Sequence, residues 1–240
     1  ISEVCDESND KVLRMGLGGR QRLGKDGTFQ ATLDTEVTRN IPNDVDAEHQ
    51  SEFVERLDET DSIHDGLVVC APHGGMIEQY TDAQAEKVYA ILQQAGKPVN
   101  CWRCKGWNAD DGAWKSWHIT SDEISPRSFP LLKRISGRAY RYALAFHGYD
   151  KQGVITIGGN GPADLKCAIR QALGGIKGLN CQIHIAEPGE DCSGQSSRNL
   201  VNWLTANGRG GIQIEQPLDV RKDYTDAIAI AVADVYERLP

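Results

Sequence analysis

The sequence predicts a single α/β domain spanning residues 1–240, with a mixed, mostly parallel sheet flanked by helices. Two observations predict this class. Short apolar runs that suit buried strands alternate along the chain with segments that carry helix signals. No repeat, linker or low-complexity stretch divides the 240 residues. A chain of this length can bury one sizeable core, so a single domain is favoured over two small ones.

The first half of the chain starts weakly and then alternates. A glycine-rich run at Met15–Arg20 follows no strand, so it does not predict a phosphate-binding loop. An acidic stretch predicts a short helix around Ala47–Leu57. The continuous apolar run Gly66–Ala71 favours a buried strand. Thr-Asp-Ala-Gln at 81–84 has the spacing of a capping box, which predicts a helix from Thr81 to about residue 95.

The second half repeats this alternation. Strands are predicted at Val99–Arg103, Tyr140–Phe146, Gly153–Gly158 and Gly211–Glu215, and the alternating residues Cys181–Ala186 also predict a strand. Helical patterns and stop signals predict helices near Phe129–Ile135, Ala163–Leu173, Arg198–Ala206 and Asp223–Leu239. The last of these is amphipathic and places its apolar side chains on one face.

Composition and charge exclude several classes of protein. Apolar residues make up 40% and charged residues 25%, which is ordinary for a folded globular domain. The 26 basic and 34 acidic residues leave a formal charge of −8, which disfavours nucleic acid as a partner. No apolar run approaches the length of a membrane span, so no membrane partner is expected. We expect a monomer, and the location is open, with an extracellular one favoured.

The seven cysteines do not predict a function. The count is odd, so at least one thiol is free unless it pairs with another chain. Cys101 and Cys104 form a CxxC pair, but neither the helix start of a redox motif nor the second pair of a structural zinc site is evident. Cys70, Cys167 and Cys181 lie in apolar stretches and are interpreted as small buried side chains.

Two histidines stand directly after predicted strands. His73 follows the first strong strand and His147 the strand at 140–146, and Glu78 comes five residues after His73. Ligand sites in α/β sheets gather at the carboxyl ends of strands, and two imidazoles with one carboxylate are a common catalytic zinc set. Glu215, at the end of the last strand, is a candidate general base. The alternative for each histidine is a capping or packing role.

Several blocks in order resemble one family. His73-Gly-Gly-Met-Ile-Glu78 resembles the His-Gly-Gly-x-Ile-Glu block of the zinc-dependent, phage-type poly-γ-glutamate hydrolases. The blocks that follow it over residues 65–222 are also similar: Trp117-His-Ile-Thr-Ser121, Ala145-Phe-His-Gly148, Ile155–Gly159, Asn199-Leu-Val-Asn202 and Gly211-Ile-Gln-Ile-Glu215. The chain departs from the family pattern at Gln79-Tyr-Thr-Asp82, which we expect to border the substrate.

The resemblance implies a zinc carboxypeptidase-like fold with one Zn²⁺ per chain. His73, Glu78 and His147 match the ligand positions, and Glu215 matches the acidic residue that acts as base and proton shuttle. The implied reaction is hydrolysis of γ-glutamyl amide bonds by metal-activated water, with poly-γ-glutamate or a γ-glutamyl peptide as substrate. Two alternatives remain: a zinc amidohydrolase acting on N-acyl amino acids or peptidoglycan stem amides, and a non-catalytic metal-binding module of the same fold.

Five further residues are candidates for binding the substrate. His118 would bind it or brace a ligand carboxylate, Arg198 with Asn199 would bind a substrate carboxylate, and Arg221 would do the same. Tyr149 would stabilise the oxyanion. Surface salt bridges or packing are the alternatives. With a zinc ion, Arg198 and Arg221 would make a locally positive groove on an acidic protein, and an acidic groove would argue against polyglutamate.

Overall fold

The computed structural model describes residues 36–60, 63–108 and 112–239, together with Gly24. The described residues contain seven strands: β1 (Phe53–Asp58), β2 (Leu67–Gly75), β3 (Val99–Gly106), β4 (Tyr142–Gly148), β5 (Val154–Gly158), β6 (Gln182–Ile185) and β7 (Gly211–Gln216). They form one sheet in the order β1-β3-β2-β4-β7-β5-β6. The pairs β1–β3 and β5–β7 are antiparallel, and the other four are parallel. The predicted mixed, mostly parallel sheet is confirmed.

Helices cover both faces of this sheet. They are α1 (Asp44–His49), α2 (Thr81–Gln94), α3 (Ala113–Trp117), α4 (Pro130–Ile135), α5 (Ala163–Gly174), α6 (Leu200–Trp203) and α7 (Leu218–Glu237). The apolar faces of α2, α5 and α7 share one core with the sheet, and those of α4 and α6 share the other. Strand β4 contributes side chains to both cores. Leu144 and Phe146 pack in one core, and Ala143 and Ala145 pack in the other.

The residues from Glu36 onward form one compact unit. The prediction that a single domain extends over residues 1–240 stays a prediction, because the first 35 residues other than Gly24 lie outside the described part of the chain. The glycine-rich run at Met15–Arg20 and Cys5 fall in the same segment. None of the described helices is long and apolar enough to cross a membrane.

The predicted helix over Ala47–Leu57 is wrong in its second half. Only Asp44–His49 is helical, and residues 53–58 form the edge strand β1, which pairs antiparallel with β3. Phe53 and Val54 are buried there on opposite faces of the strand, in two different apolar clusters. The acidic residues before them suggested a longer helix, but tertiary pairing outweighs that local signal.

The capping box at 81–84 is also absent. The N-cap of α2 is Tyr80, in a left-handed conformation (φ 75°), and Thr81 is already helical. The Thr81 hydroxyl donates to the carbonyl of Glu78 at 2.9 Å. The Gln84 amide instead exchanges two hydrogen bonds of 2.8 Å with Gln216 of β7. The helix begins at the predicted residue, but its first turn is held by the sheet and not by a cap.

Two helix boundaries in the last third of the chain differ from prediction. The predicted helix at Arg198–Ala206 is reduced to the single turn of α6, followed by a 3-10 turn at Ala206–Gly208. Helix α7 begins at Leu218, directly after Pro217, and not at Asp223. Proline lacks a backbone donor and suits a helix start, so the position of Pro217 accounts for the earlier beginning.

The CxxC pair lies within β3 and does not form a dithiol site. Residues three apart on a strand point to opposite faces, so Cys101 packs in one core and Cys104 in the other. Cys70 is buried and free, as predicted, whereas Cys167 and Cys181 are partly exposed. Burial raises the pKa of Cys70 and Cys104 well above the usual range, which keeps both thiols protonated.

The strands that carry the candidate residues end at one edge of the sheet. β2, β4 and β7 are neighbours and parallel, so their carboxyl ends meet there. His73 lies near the end of β2, and His147 of β4 pairs in register with Glu215 of β7. The fold therefore brings together three side chains that are far apart in sequence.

Candidate functional site

The direction of the His73 side chain depends on a β-bulge in β2. Pairing with β3 runs from Ala71–Arg103 to Gly74–Lys105, so Pro72 and His73 face a single residue of β3. Such a bulge bends a strand and redirects a side chain. Pro72 has no N–H to give to the ladder, which suits it to this interruption. The chain then turns, and the backbone N–H of Glu78 donates to the carbonyl of His73 at 2.7 Å.

His73, Glu78 and His147 converge at atomic distance. His73 Nδ1 lies 2.9 Å from Glu78 Oε1 and 3.2 Å from His147 Nδ1. His147 Nδ1 lies 3.4 Å from Glu78 Oε2. All three residues are buried. Three donors that sequence spacing alone only suggested are therefore gathered around one point.

The groups behind the two imidazoles orient them. His73 Nε2 lies 2.8 Å from the carbonyl of Ile119, and a carbonyl only accepts, so Nε2 carries the proton and Nδ1 presents its lone pair inward. His147 Nε2 lies 3.3 Å from Ser121 Oγ. The backbone N–H of Gly148 donates to Glu78 Oε2 at 2.8 Å. Outer contacts of this kind typically hold metal ligands in place.

His118 adds a third imidazole beside Glu78 and His73. Its Nε2 lies 3.5 Å from Glu78 Oε1, and its ring centroid is 4.2 Å from that of His73. The exposed Trp114 stacks on the other face of His118, with centroids 4.9 Å apart. Donor atoms of His73, Glu78 and His118 all lie within 4.8 Å of one another, so His118 and His147 both lie within reach of an ion at this point.

The electrostatics suit a cation. Burial opposes ionisation of Glu78, but its interactions with the imidazoles of His73, His118 and His147 outweigh it and hold the pKa of Glu78 well below its usual value. Burial lowers the pKa of His73, which favours its neutral, ligating form. Burial acts in the same direction on His147, but the carboxylates of Glu215 and Glu78 outweigh it and raise its pKa.

The donor set fits a metal ion on geometry and chemistry. Ligands of a tetrahedral zinc at about 2.0–2.1 Å lie about 3.3 Å apart, and the measured separations between His73, Glu78 and His147 run from 2.9 to 3.4 Å. Two neutral imidazoles and one carboxylate are common in catalytic zinc sites. A metal is therefore the group that this cluster is suited to hold.

Glu215 faces the same space from β7. Burial raises its pKa to about 7; the charges of His147 and Arg221 lower it, and that of Glu78 adds to the rise. Gln213 Nε2 donates to Glu215 Oε1 at 3.1 Å. A carboxyl with a pKa near neutrality can both accept and release a proton under ordinary conditions.

A cavity of about 820 Å³ lies over the cluster. Its described lining residues include four carboxylates, from Glu78, Asp122, Asp150 and Glu215, and one guanidinium, from Arg221. Because the pKa of Glu215 is about 7, a divalent cation together with Arg221 would roughly balance these carboxylates and would not make the lining positive. The expectation of a positive groove is therefore wrong for the described lining, since acidic side chains dominate it.

The other predicted binding residues occupy different positions. Arg198 is exposed and is not part of the described lining, although Ser196 and Asn199 on either side of it are, so its role in binding a substrate carboxylate stays a prediction. Arg221 lines the cavity, with Nε donating to the carbonyl of Gln79 at 2.9 Å and Nη1 to that of Gln216 at 2.8 Å. Tyr149 also lines it, but its hydroxyl donates to the carbonyl of Val154 at 2.7 Å.

Two more expectations concern Asn199 and the segment Gln79–Asp82. Asn199 is buried in the wall, and its amide contacts Gln213 and the backbone N–H of Val201. None of the four residues 79–82 is part of the described lining, although the carbonyl of Gln79 accepts a hydrogen bond from the lining residue Arg221. That this segment borders the substrate stays a prediction.

The sequence analysis missed three residues of the site. Gln213 lies two positions before Glu215, so the period of a strand puts it on the same face. Trp114 lies four positions before His118, the spacing of one helical turn. Ser121 lies in the quoted His-Ile-Thr-Ser block, but nothing in its spacing predicts a contact with His147.

Comparison with known families identifies the relationship. A family model described as "Poly-gamma-glutamate hydrolase" matches residues 44–234. This chain belongs to the poly-gamma-glutamate hydrolase family. Membership supports a hydrolase and agrees with the resemblance stated above. A search of curated proteins finds no match.

Solved structures show the fold of this poly-gamma-glutamate hydrolase family member. A bacteriophage poly-gamma-glutamate hydrolase matches with a TM-score of 0.57 at 17% identity, over 85% of this chain and 96% of that one. A structure titled YNDL-apo, zinc-free, matches with a TM-score of 0.58 at 20% identity, over 85% and 98%. A putative carboxypeptidase A from Shewanella denitrificans matches with a TM-score of 0.51 at 12% identity, over 78% of this chain and 60% of that one. The carboxypeptidase-like fold is confirmed.

Proposed function

We propose that this protein is a zinc-dependent hydrolase of γ-glutamyl amide bonds, with one Zn²⁺ per chain held by His73, Glu78 and His147. The observation that carries the proposal is the convergence of these donors within 3.4 Å directly beside Glu215. His147 is preferred over His118 as the third ligand, because His147 Nδ1 lies close to donor atoms of both His73 and Glu78. For His118, the short donor distance is to Glu78 alone, 3.5 Å from Nε2.

The protein's own residues supply proton transfer and binding. A zinc ion bound here would polarise the amide carbonyl and lower the pKa of a water molecule. Glu215 accepts the proton of the attacking water and passes it to the leaving nitrogen, for which its pKa of about 7 is suited. Arg221 has Nε and Nη1 engaged with carbonyls, so Nη2 is the nitrogen that it offers to a substrate carboxylate.

The first candidate substrate is poly-γ-glutamate, which family membership supports. A second candidate is a short γ-glutamyl peptide that carries an amino group. The observation that favours it is the pair of carboxylates from Asp122 and Asp150 in the wall, which would attract an ammonium group and repel the side chains of a polyanion.

The catalytic part is tested by Glu215→Gln, which keeps the shape of the side chain and removes the base. We expect zinc content and thermal stability to stay unchanged and turnover to fall by about 10²–10⁴-fold. Glu237→Gln, which changes an exposed carboxylate in the last turn of α7, is the matched control. Turnover at the wild-type rate in Glu215→Gln would show that Glu215 is not the base.

The metal set is tested by the zinc content of purified variants. His73→Ala and His147→Ala should each lose zinc, and His118→Ala should retain it. Loss of zinc in His118→Ala with retention in His147→Ala would reverse the assignment of the third ligand. Treatment of the wild-type protein with a chelator should abolish hydrolysis, and zinc should restore it.

The substrate is tested with poly-γ-glutamate, followed by product sizing, and with a γ-glutamyl-lysine peptide and an N-acyl amino acid. Asp122→Asn with Asp150→Asn separates the candidates. This double variant should raise kcat/KM for the polymer and lower it for the lysine peptide. Unchanged polymer length under all conditions would remove the first candidate.

A further inference from the structure

The Gln213 side chain bridges the wall of the cavity and the acidic side chain of Glu215. Its Nε2 donates to Glu215 Oε1 at 3.1 Å and to the carbonyl of Cys192 at 3.0 Å. Cys192 belongs to the segment 192–196, every residue of which lines the cavity. Gln213 is buried, with 4% exposed, and both contacts lie at the border of the cavity.

The direction of this amide is determined by its neighbours. Asn199 Oδ1 accepts from the backbone N–H of Val201 at 3.2 Å, so Asn199 turns its Nδ2 toward Gln213. Asn199 Nδ2 donates to Gln213 Oε1 at 2.9 Å. Because the oxygen of Gln213 is thereby engaged, its NH₂ group must face Glu215. The backbone N–H of Val201 thus fixes the orientation of the Asn199 amide, which fixes that of the Gln213 amide. As a result, the Glu215 carboxylate meets the NH₂ group of Gln213 and not its oxygen.

The wall that holds Gln213 is itself tightly built. A Cβ at Gly194 would lie 2.5 Å from Gln213 Cδ, and the φ of Gly194 is +59°, so only glycine allows this approach. Asn202 Nδ2 donates to the carbonyls of Gly194 at 2.7 Å and Ser196 at 2.8 Å. The backbone N–H of Gly159 donates to the carbonyl of Ser193 at 2.7 Å. Gln213 therefore has little freedom to move.

We propose that Gln213 is a positioning residue for Glu215, and that Asn199 orients Gln213. This inference rests on the proposed function, in which Glu215 is the base. The N–H of Gln213 occupies Oε1, which leaves Oε2 as the oxygen that meets the water and the leaving nitrogen. Holding a reacting group in one orientation contributes to rate, since small displacements cost activity. We expected Asn199 to bind a substrate carboxylate. In this proposal it instead orients the Gln213 amide from within the cavity wall.

The test is Gln213→Met, which keeps the volume of the side chain and removes its hydrogen bonds. We expect kcat for the substrate identified above to fall by about 10- to 100-fold, with KM and zinc content unchanged. Gln216→Met is the matched control. Gln216 is also buried on β7, but its side chain pairs with Gln84, so a comparable loss of stability should leave kcat near the wild-type value.

A double-mutant cycle distinguishes positioning from general damage. In the Glu215→Gln background, Gln213→Met should change the residual rate by less than about twofold, because the group that it positions is gone. A loss of equal size in both backgrounds would show a structural role and overturn the inference. If Glu215→Gln is active, the proposed function fails; if it is inactive while Gln213→Met has the wild-type kcat, only this inference fails.

A second measurement needs neither substrate nor metal. The side-chain amide resonance of Gln213, assigned by its loss in Gln213→Met, should shift in the ¹H–¹⁵N spectrum of Glu215→Gln. The Gln216 amide, assigned in the same way, should stay in place. An unchanged Gln213 resonance in Glu215→Gln would show that the two side chains are not bonded in solution.

Discussion

Replacement of Lys105 by methionine should destabilise the protein more than any exposed charge change. Lys105 lies in β3 with 8% of its side chain exposed. Its Nζ contacts Asp44 at 2.8 Å, Asp82 at 3.1 Å and Glu86 at 2.6 Å. Methionine fills the same space without a charge, so the change isolates the loss of the cation from the loss of volume.

The magnitude follows from what each carboxylate retains. Asp44 keeps Arg56 at 2.9 Å, and Glu86 keeps Arg103 at 3.0 Å, whereas Lys105 is the ion-pair partner of Asp82 among the described residues. Breaking a buried pair costs about 3–5 kcal/mol, and an exposed one costs at most about 1 kcal/mol. With Asp82 at 16% exposed, the expected loss is about 2–4 kcal/mol.

The assay is chemical denaturation at pH 7, checked by thermal unfolding, where the loss should lower Tm by about 5–15 °C. Lys87→Met is the control, because Lys87 meets Asp226 at 3.2 Å with 40% and 70% of the two side chains exposed. The control should cost about 0.5 kcal/mol or less. A loss for Lys105→Met no larger than that of Lys87→Met would refute the reasoning.

The same cluster predicts how this difference depends on pH. Burial opposes the ionisation of Asp44, but the hydrogen bond and charge of Lys105 outweigh it and lower the pKa of Asp44. A carboxyl whose pKa is lower in the folded state stabilises above its unfolded pKa of about 4 and loses that effect as pH falls further. The difference in the free energy of unfolding between wild type and Lys105→Met should therefore stay constant from about pH 5 to about pH 9. Below about pH 5 this difference should become smaller.

Three further predictions concern the site. Zinc at about 1,000 times its Kd should stabilise the protein by about 4 kcal/mol, measured as a rise in Tm that His147→Ala abolishes. If poly-γ-glutamate is cleaved, its KM should fall as salt is added, because screening weakens repulsion by Asp122 and Asp150; a rising KM would contradict the acidic lining. Gly148→Ala should displace Arg221, since the added Cβ would lie 1.4 Å from Arg221 Nη1. The free energy of unfolding should fall by about 1–3 kcal/mol, and KM should rise by a larger factor than kcat falls.

The sequence was a good guide where local pattern and tertiary structure agree. Strands β2 and β4 carry continuous apolar runs, and β5 and β7 are short strands rich in isoleucine, so their burial is evident from composition and pattern. The rule that parallel strands end at one edge then suffices to bring His73, His147 and Glu215 together. Geometry bears out this gathering of residues, while their roles stay predictions.

The failures share one physical cause, which is competition from distant partners. Residues 53–58 leave a helical context because β3 offers a full set of hydrogen bonds, and Gln84 leaves its cap for Gln216. Neither propensity nor spacing encodes these contacts, since each depends on a segment more than a hundred residues away or on another strand.

Net charge and cavity charge lead to different expectations about the substrate. A metal ion at His73 and Glu78 would add two positive charges beside the scissile amide, and Arg221 adds one more to the cavity lining. A glutamyl carboxylate close to the cluster is therefore attracted. Carboxylates of a polymer that come close to Asp122 or Asp150, which also line the cavity, are repelled. On the proposed function we therefore expect a higher kcat/KM for a short γ-glutamyl peptide than for the polymer, because the attraction comes from the ion and Arg221 alone, while carboxylates near Asp122 or Asp150 are repelled.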